Sequence, residues 1–172
     1  MLNSNHPDNT PILIMSESNG KVFVTWDEFS NLTLDLCDKI LEKHGKKEFK
    51  GIIAVARGGY IPAAIIANSL NIKNMRSISL STYDETNTMR DVKVNSIFKD
   101  TDTWLIIDEL ADSGSTFMKI REYLPNSVYA VVYSKPNGVS STDIYAIEVQ
   151  QDEWIVFPWE PESNKYLNLF YH

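Results

Sequence analysis

The run I-I-D-E-L-A-D-S-G-S-T, residues 106–116, decides the fold. It begins inside an apolar strand, Trp104-Leu-Ile-Ile107, and passes directly into Asp108-Glu109. Asp112 follows, then Ser113-Gly114-Ser115-Thr116, ahead of a helix expected from about Ser115 to Tyr123. A short continuous apolar run bounded by turn residues reads as a strand buried on both faces. Successive N–H groups and hydroxyls at a helix start make an anion site. The acids beside it argue against free phosphate. A sugar phosphate fits both halves, carboxylates for its hydroxyls and N–H groups for its phosphate. No G-x-x-x-x-G-K-[ST] is present, which argues against a P-loop ATPase.

Working outward, the same alternation repeats. Gly51-Ile-Ile-Ala-Val55 is a second buried-strand run, and Arg57-Gly58-Gly59 turns it into a helix expected over Tyr60–Leu70, with Pro62 tolerated in the first turn. Met75–Leu80, Val128–Tyr133 and Ile144–Val149 read as further strands. The polar stretch Ser81–Asp91 reads as a long loop, with a short strand at Val92–Val94. Before all of these, Thr25 and Glu28 have capping-box spacing. Phe29, Leu32, Leu36 and Ile40 then recur at helical intervals, with Cys37 and Leu41 widening the stripe. Strand, helix, strand, helix, strand predicts an α/β domain around a mostly parallel sheet. Ligands in such sheets bind beyond the carboxyl ends of the strands. Arg57-Gly58-Gly59 occupies one such end. Its glycines allow a close backbone approach or a tight turn, and its guanidinium suits phosphate.

Composition narrows the function. The chain has 172 residues, 16 Lys and Arg against 23 Asp and Glu, and a formal charge of −7. That balance argues against nucleic acid as a partner, since such binding draws on phosphate neutralisation. The single cysteine, Cys37, can form neither an internal disulfide nor a zinc knot and reads as core. His6, His44 and His172 are scattered. No apolar run approaches the roughly 20 residues of a spanning helix, and the start lacks the basic and apolar segments of a leader, so a cytoplasmic protein is expected. Residues 1–20, rich in Asn, Ser and Pro, read as a partly ordered extension, with one domain over 21–172.

The 106–116 segment resembles the PRPP-binding signature of type I phosphoribosyltransferases. Within that superfamily the chain is similar to the bacterial xanthine-guanine branch over roughly residues 22–159. The matching stretches are V-T-W-D at 24–27, G-I-I-A-V-A-R-G-G at 51–59, S-T-Y-D at 81–84, S-K-P-N-G at 134–138 and Q-D-E-W-I-V-F-P-W at 151–159. The resemblance implies a twisted, mostly parallel central sheet flanked by helices, a small C-terminal hood built mainly from 134–160, and a flexible lid loop. It implies transfer of 5-phosphoribose from PRPP to a 6-oxopurine with Mg²⁺ as cofactor, in a homodimer or homotetramer.

It also implies roles. Arg57, Gly58 and Gly59 match the pyrophosphate loop, which in the family often carries a cis peptide at the position of Ala56–Arg57. Asp108 and Glu109 match the acids facing the ribose hydroxyls and Mg²⁺ waters, with Asp108 the metal-side residue and no dedicated protein cage. Asp112 matches a candidate general base beside the purine, and Ser113, Gly114, Ser115 and Thr116 match the 5′-phosphate cradle. Lys135 matches the donor to the 6-oxo group, Trp154 the stacking ring, and Ile155 a carbonyl that reads the 2-position. Ser81, Thr82 and Tyr83 match the lid.

Four positions depart from the xanthine-guanine pattern. Glu109 stands where Asp is usual, Ser113 and Ser115 replace Thr and Gly, and Thr82 replaces Ser. None removes a charge, which implies retained function with altered kinetics. Two other functions fit the same motifs: a regulator that senses PRPP or nucleotide without turnover, and a transferase for a different base.

Overall fold

The computed structural model describes residues 16–18, 20–45, 49–83, 89–94 and 100–163. In chain order the elements are β1 (Ser16–Ser18), β2 (Lys21–Phe23), α1 (Trp26–His44), β3 (Ile52–Ala56), α2 (Tyr60–Ser69), β4 (Met75–Tyr83) and β5 (Met89–Val94). There follow β6 (Leu105–Ala111), α3 (Ser115–Arg121), β7 (Val128–Ser134), α4 (Pro136–Val139), β8 (Ile144–Glu148) and β9 (Trp154–Val156). They fall into two compact units, one spanning Phe29–Glu153 and the other formed by the chain before Phe29 with the chain from Trp154 onward.

The larger unit is built on a six-stranded sheet of order β5-β4-β3-β6-β7-β8. β3, β4, β6, β7 and β8 pair in parallel, and β5 alone runs antiparallel, against β4. Ile52 lies opposite Leu105, and Leu105 opposite Val128, so the apolar runs sit in register across the sheet. Every residue of β7 is buried, the run Val128–Tyr133 and Ser134 at its end alike, as a strand covered on both faces must be. On one side Ile53, Val55, Ile106, Tyr129 and Val131 pack with Phe117, Ile120 and Leu124 into a core. A polar tie closes that side: Asp143 accepts from the Arg121 guanidinium at 3.2 Å and from the Tyr129 backbone N–H at 2.8 Å. The Arg121 guanidinium also lies 3.9 Å from the centre of the Tyr129 ring.

Helix α1 starts on the anticipated capping box, with the Glu28 N–H donating to Thr25 Oγ1 at 3.2 Å and the Thr25 N–H to Glu28 Oε2 at 3.5 Å. Phe29, Leu32, Leu36, Cys37 and Ile40 are buried, and burial pushes the Cys37 thiol pKa up, as suits a packing role. Leu41, expected in the stripe, is 42% exposed. It lies about 100° around the helix from Ile40, past the edge of the buried arc.

Two strands are longer than the sequence suggests. β6 runs on through Asp108 and Glu109 to Ala111, because β7 continues beside it and pairs Ala111 with Ser134. The stretch read as a loop from Ser81 is in part a hairpin. Ser81 faces Lys93 and Tyr83 faces Met89 across the β4–β5 ladder, while residues 84–88 fall outside the described set. Ladder hydrogen bonds use the backbone alone, so polar side chains do not forbid them.

In the smaller unit β1 pairs antiparallel with β2, so Ser16–Ser18 of the expected extension form a strand. β2 pairs in parallel with β9. The Phe157 and Trp159 rings stack at 4.8 Å, and Trp26 meets Trp159 at 5.8 Å. The apolar run at 167–171 lies outside the described residues. Among the described residues, no helix is long and apolar enough to cross a membrane.

The contrast along α1 is testable by urea unfolding. Leu36→Ala, which empties a fully buried site, is expected to cost about 3 kcal/mol. Leu41→Ala, on the exposed rim, should stay within about 0.5 kcal/mol of wild type.

Candidate active site

Parallel pairing brings the carboxyl ends of β3, β6 and β7 to one edge of the sheet, and the residues singled out by sequence leave from those ends. Ala56–Arg57, at the end of β3, is a cis peptide. The two glycines that follow have ordinary φ. What approaches them is the protein itself, flexible side chain at Gly58 and fixed backbone at Gly59. A Cβ on Gly58 would overlap the carboxyl group of Glu109, and one on Gly59 would run into the carbonyls of Ile107 and Val55. The Gly59 N–H is engaged with the Val55 carbonyl at 2.9 Å.

At the end of β6 two carboxylates are adjacent. The Glu109 N–H donates to Asp108 Oδ1 at 3.0 Å, and Glu109 Oε2 is buried without a hydrogen-bond partner. Burial, and then the charge of Glu109, push the Asp108 carboxyl well above the usual carboxylate range. Among the described residues no group of three or more His, Cys, Asp or Glu side chains could hold a metal.

The turn that follows is a small cradle. Gly114 has φ of 77°, the left-handed region that favours glycine, and a Cβ there would collide with the Ser141 hydroxyl. The hydroxyls of Ser113 and Ser115 lie 3.0 Å apart, and the Ser115 N–H donates to Ser113 Oγ at 3.4 Å. Asp108 and residues 110–117 line a pocket of about 100 Å³.

Beside the cradle, the end of β7 delivers Lys135. Its Nζ lies 3.2 Å from Asp112 Oδ1, and its side chain is only 9% exposed against 61% for Asp112. The Lys135 N–H donates to the Ala111 carbonyl at 2.9 Å, and Gly138 packs so closely on Ala111 that a Cβ would overlap its backbone. One participant was not singled out by sequence reasoning. Gln151 Nε2 donates to Asp112 Oδ1 at 2.9 Å while the Asn137 N–H donates to Gln151 Oε1 at 3.0 Å. Its only sequence signal is its place at the head of Q-D-E-W.

The larger unit therefore brings together the Arg57–Gly59 turn, Asp108, Glu109, Asp112, the 113–116 turn and Lys135. Ser81, Thr82 and Tyr83 lie in β4 of the same unit. Trp154 and Ile155 belong to the smaller unit, on β9, where Ile155 is buried and Trp154 is 62% exposed. A core tryptophan would not be so open.

A family model described as the phosphoribosyl transferase domain matches residues 25–165. The chain belongs to the phosphoribosyltransferase family. It is 38% identical over 146 residues to a xanthine-guanine phosphoribosyltransferase of Idiomarina loihiensis, covering 83% of this chain and 89% of that one. It is 42% identical over 144 residues to the namesake from Nitratidesulfovibrio vulgaris strain Hildenborough, covering 83% and 86%. Among solved structures, a purine phosphoribosyltransferase from Pyrococcus horikoshii superposes with a TM-score of 0.66 at 27% identity, over 82% of this chain and 95% of that one. The xanthine-guanine-hypoxanthine enzyme of Helicobacter pylori shares the fold, with a TM-score of 0.68 at 22% identity over 87% and 98%.

In this phosphoribosyltransferase the 135–138 turn is held by backbone packing that cannot move aside. Gly138→Ala should therefore destabilise by about 1–3 kcal/mol, as overpacking does. Asn137→Ala keeps its backbone donor and should stay within about 0.5 kcal/mol. Urea midpoints of the two variants check both values.

Proposed function

We propose that this phosphoribosyltransferase moves the 5-phosphoribosyl group of PRPP to a 6-oxopurine, guanine, xanthine or hypoxanthine, in purine salvage. The observation that carries this is the nearly buried Lys135 ammonium beside the exposed Asp112 carboxylate, next to a hydroxyl-rich turn. A cation at that place donates to a 6-oxo group, whereas the amino group of adenine would offer it a second donor. The relatives that carry the xanthine-guanine name support the same choice of base.

In the reaction the bond from the anomeric carbon to pyrophosphate breaks, a purine ring nitrogen bonds that carbon from the opposite face, and the purine loses a proton. We assign that proton to Asp112. The 113–116 turn takes the 5′-phosphate with N–H groups and hydroxyls. The Arg57 guanidinium, with the N–H groups of Arg57 and Gly58, faces the departing pyrophosphate. Gly59 contributes fit, since its N–H is already bonded to Val55. Holding both reactants in line supplies much of the rate, and donors aimed at the leaving oxygens supply much of the rest. Trp154 is assigned to stack on the base, the Ile155 carbonyl to read its 2-position, and Ser81, Thr82 and Tyr83 to a lid that excludes water from the oxocarbenium-like transition state.

Asp108 and Glu109 fit a hard cation. Glu109 has an unpartnered buried oxygen, and burial, then the Glu109 charge, disfavours the ionised form of Asp108, a penalty that a bound cation would offset. These two residues would hold Mg²⁺ through water or the ribose hydroxyls, with substrate oxygens completing the shell. When bound, Mg²⁺ supplies neutralisation of the pyrophosphate charge.

Pyrophosphate release, measured with PRPP, Mg²⁺ and each of guanine, xanthine, hypoxanthine, adenine and uracil, tests the proposal. Turnover is expected with the 6-oxopurines only. Turnover confined to adenine or uracil would replace the acceptor. Silence throughout, with PRPP still raising the thermal midpoint, would make this a binding protein. Within the active panel, Asp112→Ala should lower kcat by about 100-fold or more. Lys135→Gln should relax discrimination against adenine, and Trp154→Ala should raise the KM for the base. Unchanged selectivity or unchanged KM removes the corresponding role.

A further inference from the structure

We propose that Gln151 is a positioning residue for the transfer, its side-chain amide strapping Asp112 to the backbone of the 135–138 turn so that one chosen carboxylate oxygen meets the substrate. This rests on the assignment of Asp112 as the base.

The amide makes two bonds of opposite sense. Nε2 donates to Asp112 Oδ1 at 2.9 Å, and Oε1 accepts the Asn137 N–H at 3.0 Å. An ionised carboxylate can only accept and a backbone N–H can only donate, so the pair fixes which way the amide points. The Lys135 ammonium lies 3.2 Å from the same Oδ1. Both donors therefore converge on Oδ1, which leaves Oδ2 to take the proton.

The surroundings make this strap rigid at one end and necessary at the other. The 135–138 turn is locked on Ala111 by the Lys135 N–H at 2.9 Å and by the close packing of Gly138. The segment that carries Gln151 is tied down as well, the Val149 N–H donating to the Ser134 carbonyl at 3.0 Å. Asp112 is different: it stands past the end of β6 with its side chain 61% exposed, where a short carboxylate turns freely unless held. Lys135 cannot hold it throughout, because the 6-oxo group of the base draws on the same ammonium. Gln151 can, and being neutral it orients the carboxylate without adding charge.

Of the other charged groups on this stretch, Asp152 adjoins Gln151 in sequence and has no described contact with Asp112, and three more have partners elsewhere. Glu148 accepts from the Tyr145 hydroxyl at 3.4 Å, Glu153 from the Gln150 N–H at 3.0 Å, and Asp143 pairs with Arg121. On its own strand Asp112 is preceded by Asp108 and Glu109, whose carboxylates are turned on each other. Lys135 is thus the one charged partner with a described contact to Asp112.

The test uses the full chain with Gln151→Met, Gln151→Glu and Asp112→Asn, each checked by urea unfolding. Gln151→Met keeps the volume and removes both bonds. It should lower kcat by about 10-fold with the KM for PRPP within about twofold of wild type, the signature of lost alignment. Gln151→Glu sets a second carboxylate against Asp112, which raises the pKa of the base. The acid limb of the pH profile of kcat/KM should then move up by about one unit or more. Wild-type kcat in Gln151→Met and an unmoved acid limb in Gln151→Glu, while Asp112→Asn is impaired, would overturn the strap alone. Full turnover in Asp112→Asn would overturn the base assignment and the strap with it.

Discussion

Parallel, in-register pairing of β3, β6 and β7 is the constraint on which the site depends. Because those strands run the same way, the turns that leave them emerge at one edge, although Arg57, Asp108 and Lys135 are far apart in sequence. Pairing in parallel also demands crossovers, and the helices that supply them cover both faces of the sheet. The buried strands must then be apolar throughout, which is why polar residues first appear where the strands end. β6 is the exception. It carries two acids within its ladder, and the sheet tolerates them because they lie at its open end.

Close packing turns that edge into a defined site. Gly138 is small because the Ala111 backbone lies on it and Gly114 because of its left-handed φ and the Ser141 side chain, while the Glu109 carboxyl fills the space beside Gly58. Each turn is thus fitted to a neighbouring strand or turn, so the site is assembled by contact between loops as well as by the sheet beneath. The electrostatics follow the same geometry. Burial and the neighbouring Glu109 push the Asp108 carboxyl up, which favours its neutral form, while Asp112 a few residues on is open and paired with the Lys135 ammonium.

Much of this was legible in the chain. The continuous apolar runs located β3, β6 and β7 because strands covered on both faces leave no room for alternation. The Thr25–Glu28 spacing located the start of α1 because its capping bonds are local. Less visible were the features set by partners distant in sequence. β6 outlasts its apolar run because β7 runs beside it, and the polar segment after Leu80 pairs as a hairpin through its backbone. Leu41 looked like core by type, but the helix turns it away from the sheet. The short helix α4 and strand β9 had no periodicity long enough to read.

The sequence by itself determined the alternation of strands and helices, the turns that carry chemistry and the residue types within them, since these rest on local patterns of apolarity, capping and turn chemistry. Tertiary structure alone decided which of those residues meet. It set Glu109 on Gly58, gave Lys135 an exposed carboxylate as its partner and brought Gln151 to Asp112. Hydrogen bonds and steric contacts act over a few ångströms of space, and no count of residues along the chain measures that distance.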